Sequence, residues 1–246
     1  MGIASRTTMI SFVVPAHNEE RLLGATLDSI HGAAQTAGEP YEIVVADDAS
    51  TDRTAQLAQE HGAIVVSVAY RQISATRNAG ARAARGGMLM FVDADTRVNP
   101  RVVTEAVRAM RQGAMGGGAA IRFDGVVPLY ARLLLPVLVF SFRLSRIAAG
   151  CFIFCTREAF ATVGGFDETY YGAEEIVMSK ALRSYGTFVI LDVPVVTSGR
   201  KLRTYSATEL FAATFRLALR GRKAVQQREG LEIWYSERRP DSHSDA

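Results

Sequence analysis

From residue 9 the hydrophobic pattern keeps changing period. Residues 9–15 (MISFVVP) form an unbroken apolar run, as in a strand buried on both faces. Residues 19–37 then carry Leu22, Leu23, Leu27 and Ile30 at helical spacing. Strand-like runs follow at 41–46, 63–69 and 88–92. Helical stretches separate them at about 50–61, where Ser50 and Thr51 are the predicted caps and Gly62 the stop, and at 74–85. Asn99 and Pro100 open a further helix to about residue 112, with proline in the first helical position. This β-α-β-α-β-α-β order predicts an α/β fold with a mostly parallel central sheet flanked by helices.

Beyond residue 112 the pattern is less regular. A glycine-rich strand (116–123) precedes a long apolar segment in which Pro136 is expected to interrupt a helix and leave a movable flap. A strand near Cys151, a short helix capped by Thr156, a helix at 174–184 and a strand at 187–193 come next. Ser206 and Glu209 make a capping-box pattern ahead of a helix ending near Gly221. The division predicted is one domain over 1–235, with halves meeting near residue 112, and a polar, disordered tail at 236–246. No linker-like composition separates the halves.

Composition adds a charge asymmetry and a compartment. Residues 200–239 hold ten of the 28 Lys and Arg against four acids, so the basicity is concentrated toward the C-terminus. Cys151 and Cys155, four apart on one predicted strand, face the same side at a separation of about 13 Å. That is too far for a disulfide, and two reduced thiols fit a cytoplasmic protein. The N-terminus lacks a signal-peptide core, and the longest apolar stretch, 126–142, is broken by Arg132 and two prolines.

In open parallel sheets, ligands gather beyond the carboxyl ends of the strands. Three acid-bearing clusters sit there: Pro15-Ala16-His17-Asn18-Glu19-Glu20, Asp47-Asp48-Ala49-Ser50 and Asp93-Ala94-Asp95. A single acidic turn is commonly a helix cap, but three on one sheet edge call for another explanation. Asp93 and Asp95 at the tip of a buried strand repel each other unless a cation lies between them. Mg²⁺ or Mn²⁺ fits, since hard divalent ions bridge one or two carboxylates to phosphates. Asp95 is the first choice as metal ligand, with Asp93 on metal or ribose. There is neither a GxGxxG nor a GxxxxGK[ST] signature, which disfavours dinucleotide dehydrogenases and P-loop enzymes. Arg77, in the first turn of a predicted helix, is positioned to reach phosphate.

Taken in order, PAHNEE, VVADDAST, ATRNAGARAA, FVDADT, GGFDE and AEEIVMSKALRSYG resemble the successive motifs of the family 2 glycosyltransferases, over about residues 9–200. The resemblance implies a GT-A fold and transfer of a sugar, with inversion, from a nucleotide-diphosphate sugar to an acceptor hydroxyl. By the family's habit the donor is a UDP-sugar. It places Asp47 and Asp48 at the nucleotide base, with Pro15, Ala16, Asn18 and Glu19 beside them. Asp93, Ala94 and Asp95 fall on the metal and diphosphate, and Arg77 on the arginine of the donor site. The catalytic base falls on the acid pair Glu174-Glu175, with Glu175 the candidate and Glu174 the reserve. Most relatives carry Glu-Asp here, so the second acid is one methylene longer in this chain.

The basic loop 197–203 resembles the stretch that closes over the donor, through Arg200 or Lys201. Neither a histidine ligand nor a QxxRW segment occurs there, unlike processive synthases. Leu129, Leu133, Val137, Phe140, Leu144 and Ile147 form one helical stripe, and Phe211, Phe215 and Ala218 a second beside Arg216, Arg220, Arg222 and Lys223. Both read either as core-covering helices or as peripheral contacts with the inner face of an anionic membrane. The acceptor is then a glycan, lipid-linked or small-molecule hydroxyl, and no nucleic-acid partner is expected. A sugar-1-phosphate nucleotidyltransferase would need a glycine-rich N-terminal signature, which is absent. A non-catalytic nucleotide-sugar-binding module would be marked by loss of the paired aspartates or the base, and both are present.

Overall fold

In the computed structural model, described for residues 9–209, 212 and 225–235, eight strands form one sheet. The first half runs β1 (Ile10–Ala16), α1 (Leu23–Ala37), β2 (Tyr41–Asp48), α2 (Thr54–Glu60), β3 (Ile64–Val68), α3 (Ile73–Ala83), β4 (Met88–Val92), β5 (Thr96–Arg97) and α4 (Pro100–Arg111). The second half runs β6 (Gly116–Phe123), α5 (Leu129–Leu144), β7 (Phe152–Thr156), α6 (Arg157–Thr162), α7 (Glu174–Tyr185), β8 (Phe188–Thr197), α8 (Arg200–Thr204) and α9 (Glu232–Tyr235). The strand order is β3-β2-β1-β4-β7-β6-β8-β5. Strands β3, β2, β1 and β4 are mutually parallel, as the alternating pattern predicts. β7 breaks the rule, running antiparallel to both β4 and β6.

Two apolar layers cover the sheet. On one face, Leu23, Leu27 and Ile30 of α1 and Val103, Val107 and Met110 of α4 pack on Phe12, Val14 and Met90. On the other, Met178 and Leu182 of α7, with Phe166, pack on Val13, Leu89, Phe91 and Ile153. Helix α3 lies close on β1, because a side chain at Gly80 would meet Val13 Cγ1 at 2.5 Å.

Local signals behave unevenly. Asn99 caps α4 by accepting from Val102 N, Thr156 caps α6 by accepting from Ala159 N, and Ser206 and Glu209 exchange capping-box bonds. The helix beyond residue 209, with Phe211, Phe215, Ala218 and its arginines, and the tail at 236–246 lie outside the described residues. Three expectations are corrected. The first turn of α2 is held by Asp52, whose carboxylate accepts from Thr54 N, and not by Ser50 or Thr51. α5 runs on through Pro136 as one helix. Cys151 and Cys155 lie in opposite layers, because Cys151 precedes the regular pleat of β7. They remain unbonded, and burial pushes both thiols up.

Candidate active site

The carboxyl ends of β1, β2 and β4 open onto a cleft of about 770 Å³, part of it open to solvent. Pro15, Ala16, His17 and Glu19 line it from the first loop, Asp48 from the second, and Asp93, Ala94 and Asp95 from the third. Arg71, Gln72, Ile73 and Tyr235, none of them singled out in the sequence, also line it, together with Thr76 and Lys201. Tyr235 is reached because the chain folds back, its hydroxyl donating to Tyr171 O at 2.7 Å. No local pattern announces such a return.

The loops are fastened to one another. Asn18 N donates to Ser50 Oγ at 3.0 Å, and Asn18 Oδ1 accepts from Thr51 N at 2.8 Å. Asp48 accepts from Arg71 N, Gln72 N and Thr76 Oγ1 at 2.8, 3.1 and 2.8 Å. It therefore anchors the entry to α3 as well as facing the cleft. Asp47, by strand alternation, faces the other layer. Its Oδ1 is buried without a partner among the described residues. Asn18, Ala49 and Arg71, one in each of three loops, adopt left-handed backbone at φ 51°, 55° and 51°. Such strain in non-glycine residues concentrates at functional sites.

The Asp93-Ala94-Asp95 turn is pinned through its backbone. Asp93 N donates to Cys151 O, Thr96 N to Asp93 O, Thr26 Oγ1 to Ala94 O and Ser198 N to Asp95 O, all within 3.2 Å. The two carboxylates thus present themselves without needing a bond of their own to stay in place. Burial, with the Glu19 and Asp93 charges, pushes the Asp95 carboxyl up to about 6, against the pull of Lys201 and Arg200. Among the described residues no group of three or more His, Cys, Asp or Glu side chains gathers to hold an ion unaided. The crowding of Glu19 and Asp93 against Asp95 still fits a divalent cation that draws its other ligands from phosphate or water.

Arg77 differs from expectation. It is 2% exposed and reaches inward. One terminal nitrogen donates to Glu174 Oε1 at 2.7 Å, the other to Asp93 Oδ1 at 2.8 Å and Gly150 O at 2.9 Å. Burial alone would lower its pKa, but the Asp93 and Glu174 carboxylates outweigh that and hold the guanidinium charged. Arg77 is a buried tie beneath the cleft rather than a phosphate clasp at its surface. The antiparallel run of β7 makes the tie possible, since Val92 pairs with Phe152 and the 149–151 turn returns beside Asp93.

Glu174 and Glu175 open α7 behind Ala173, itself left-handed at φ 59°. Glu174 is consumed by Arg77. Glu175 is half-buried and packs so close to Gly150 that a side chain there would meet Glu175 Cβ and Cγ at 3.6 Å. Burial, and then the adjacent Glu174 charge, push the Glu175 carboxyl up to about 8. Across the cleft, Arg200 donates to both Glu19 oxygens at 3.1 and 3.3 Å and stands 3.9 Å from Asp95 Oδ2. Lys201 lines the cleft beside it.

The sequence profile of glycosyl transferase family 2 matches residues 11–161, which hold all four acids that line the cleft, Glu19, Asp48, Asp93 and Asp95; Glu174 and Glu175 lie outside both the match and the lining. The chain belongs to glycosyl transferase family 2. Validoxylamine A glucosyltransferase of Streptomyces hygroscopicus subsp. limoneus is 28% identical over 75% of this chain and 50% of its own length. Undecaprenyl-phosphate 4-deoxy-4-formamido-L-arabinose transferase of Edwardsiella ictaluri is 36% identical over 42% of this chain and 34% of its own length. The chain therefore spans about half, or less, of the curated relatives it matches. Among solved structures, a mannosyltransferase from Pyrobaculum calidifontis in complex with GDP-Man and Mn²⁺ superposes with a TM-score of 0.68 at 23% identity, covering 86% of this chain and 64% of that one. Likeness at that identity fixes the fold as the GT-A type predicted.

Proposed function

We propose that this family 2 member moves a sugar from a nucleotide-diphosphate sugar, a UDP-sugar by the family's habit, to an acceptor hydroxyl with inversion. The half at 9–112 binds the donor and the half at 113–235 receives the acceptor. One observation carries the reading: the acids divide into two sets with different chemistry. Asp93, Asp95 and Glu19 crowd together where a diphosphate would lie, while Glu175 stands apart, unpaired by any described side chain and with its proton affinity raised.

In this reading Asp48, which lines the cleft, receives the nucleobase, with Asp47 behind it on the opposite face of β2. Pro15 and Ala16 shape the pocket wall, and Asn18 holds their loop to the one after β2. Asp95, helped by Asp93, would hold Mg²⁺ or Mn²⁺. Such an ion, when bound, neutralises charge on the departing diphosphate. Lys201 and Arg200 supply positive charge from the chain itself. The acceptor hydroxyl gives its proton to a Glu175 carboxylate oxygen as its own oxygen bonds to the anomeric carbon. The bond from that carbon to the diphosphate oxygen breaks, and the nucleoside diphosphate leaves with the electron pair. A single displacement of this kind inverts the anomeric configuration. The reaction is read as cytoplasmic.

The test is a screen of nucleotide sugars for hydrolysis and transfer, with Mn²⁺, with Mg²⁺ and after chelation. Turnover is expected only with metal. Glu175→Gln is expected to bind donor as the wild type does and to lose transfer by about 10²–10⁴-fold. Undiminished transfer in that variant, or full activity in chelator, would overturn the corresponding part of the proposal.

A further inference from the structure

Helix α5 carries an apolar stripe that the other described residues leave open. Leu129, Leu133, Val137, Phe140 and Leu144 recur three or four residues apart and so share one face. Each is between 65% and 75% exposed. Val126 prolongs the row and is equally open. The stripe runs roughly 24 Å along the helix, a continuous patch rather than scattered exposed leucines. Other faces hold α5 to the body. Ala131 is buried, Tyr130 Oη donates to Leu202 O at 3.3 Å, Arg143 pairs with Asp192 at 2.6 Å, and Arg183 of α7 donates to Ser145 O just past the helix end.

Charge decides what fits this stripe. Residues 126–147 contain Arg132, Arg143 and Arg146 and no acid. Asp192 answers Arg143, but Arg132 and Arg146 are exposed and have no ion-pair partner among the described residues. A second copy of the chain docked face to face would bring the same arginines against these. The chain's own segment 210–224 would too, since it carries Arg216, Arg220, Arg222 and Lys223 and no acid. An anionic bilayer supplies both missing complements, hydrocarbon for the stripe and phosphate for the guanidinium groups. Among the described residues no helix is long and apolar enough to cross a membrane, so the contact is one that lies on the surface.

We infer that α5 is an interfacial helix that seats the protein on an anionic membrane. The seat leads directly to the site. Past the end of α5, Ala148 N donates to Ser179 Oγ of α7 at 3.0 Å, and two residues later Gly150 gives its carbonyl to Arg77 and packs against Glu175. A hydroxyl acceptor carried by the bilayer would meet Glu175 at the end of that path. This last step rests on the function proposed above; the docking does not.

Sedimentation of the full chain with vesicles of phosphatidylcholine, with and without phosphatidylglycerol, tests the seat. Binding to the anionic vesicles is expected to be about tenfold tighter or more. Val137→Asp combined with Phe140→Asp should abolish it. Arg132→Glu combined with Arg146→Glu should bring it down to the level of the neutral vesicles. Both pairs lie on exposed positions, so melting temperature and donor hydrolysis should stay at wild-type values. Equal binding to both vesicle types, or anionic binding unchanged in both variants, overturns the inference. So does a concentration-dependent dimer dissolved by the aspartates, which would make a second copy the occupant. Vesicle binding that persists in a protein unable to turn over any nucleotide sugar would instead strike the proposed function alone.

Discussion

On the proposed donor wall Asp48 accepts three hydrogen bonds and Glu19 is gripped by Arg200. On the proposed acceptor wall Glu174 is locked to Arg77 while its neighbour Glu175 receives nothing from any described side chain. Asp48, Glu19 and Glu174 are thus spent on fastening neighbouring elements, and Glu175 is left without such a side-chain partner among the described residues. Arg77 joins the walls, with one terminal nitrogen on Asp93 and the other on Glu174. In the proposed reaction Glu175 is set apart less by its type than because its neighbours have been claimed.

Removing the tie should break the contrast most completely. Arg77→Ala strands the buried Glu174 carboxylate without its counter-charge, beside a part-exposed Asp93, a situation that costs about 3–5 kcal/mol. Urea unfolding should register that loss, with Arg77→Lys recovering part of it, since an ammonium cannot span both partners as the planar fork does. A midpoint unmoved in Arg77→Ala would mean the pair is screened by water after all.

The openness of Glu175 can be sharpened by pH. Its proton affinity near pH 8, against the ordinary 4.5, means the native state holds an extra proton between those values. Its contribution to stability is thus fully present below 4.5 and is lost as pH rises to about 8. Glu175→Gln escapes that loss, so its melting temperature relative to wild type should climb across the window and be level beneath it. Acceptor-dependent kcat/KM of the wild type should rise over the same range, as the base becomes unprotonated. A flat difference in melting temperature would return Glu175 to an ordinary exposed acid.

The smallest effect belongs far from both walls. Asn99→Ala removes the α4 cap and should cost about 1 kcal/mol in urea unfolding while leaving transfer untouched. Lost transfer would show that α4 is coupled to the cleft.

How much of this was legible beforehand depended on whether a signal was local. The β1 to α4 alternation was readable because buried parallel strands and amphipathic helices differ in period. The acids at the strand tips were readable because topology places strand ends together. The direction of β7 was not, since an apolar run such as FIFC is the same forward or backward. The inward turn of Arg77 was hidden for a related reason. Its partners lie 16 and 97 residues away, and an arginine on a helix is ordinarily a surface residue. Pro136 misled because proline lowers helix propensity without forbidding a continuous helix where packing supports it.

The triple glycine that opens β6 carries a warning for anyone comparing relatives. A methyl group at Gly117 would fall 2.3 Å from Val189 O, one at Gly118 2.5 Å from Ala148 Cβ, and one at Gly116 2.8 Å from Phe154 O. Evolution has almost no room to vary these three positions, although none of them lines the cleft. In a set of orthologues they should look as invariant as the aspartate pair, and a reader ranking columns by constancy would mistake a spacing constraint between β7, β6 and β8 for a piece of the reaction machinery.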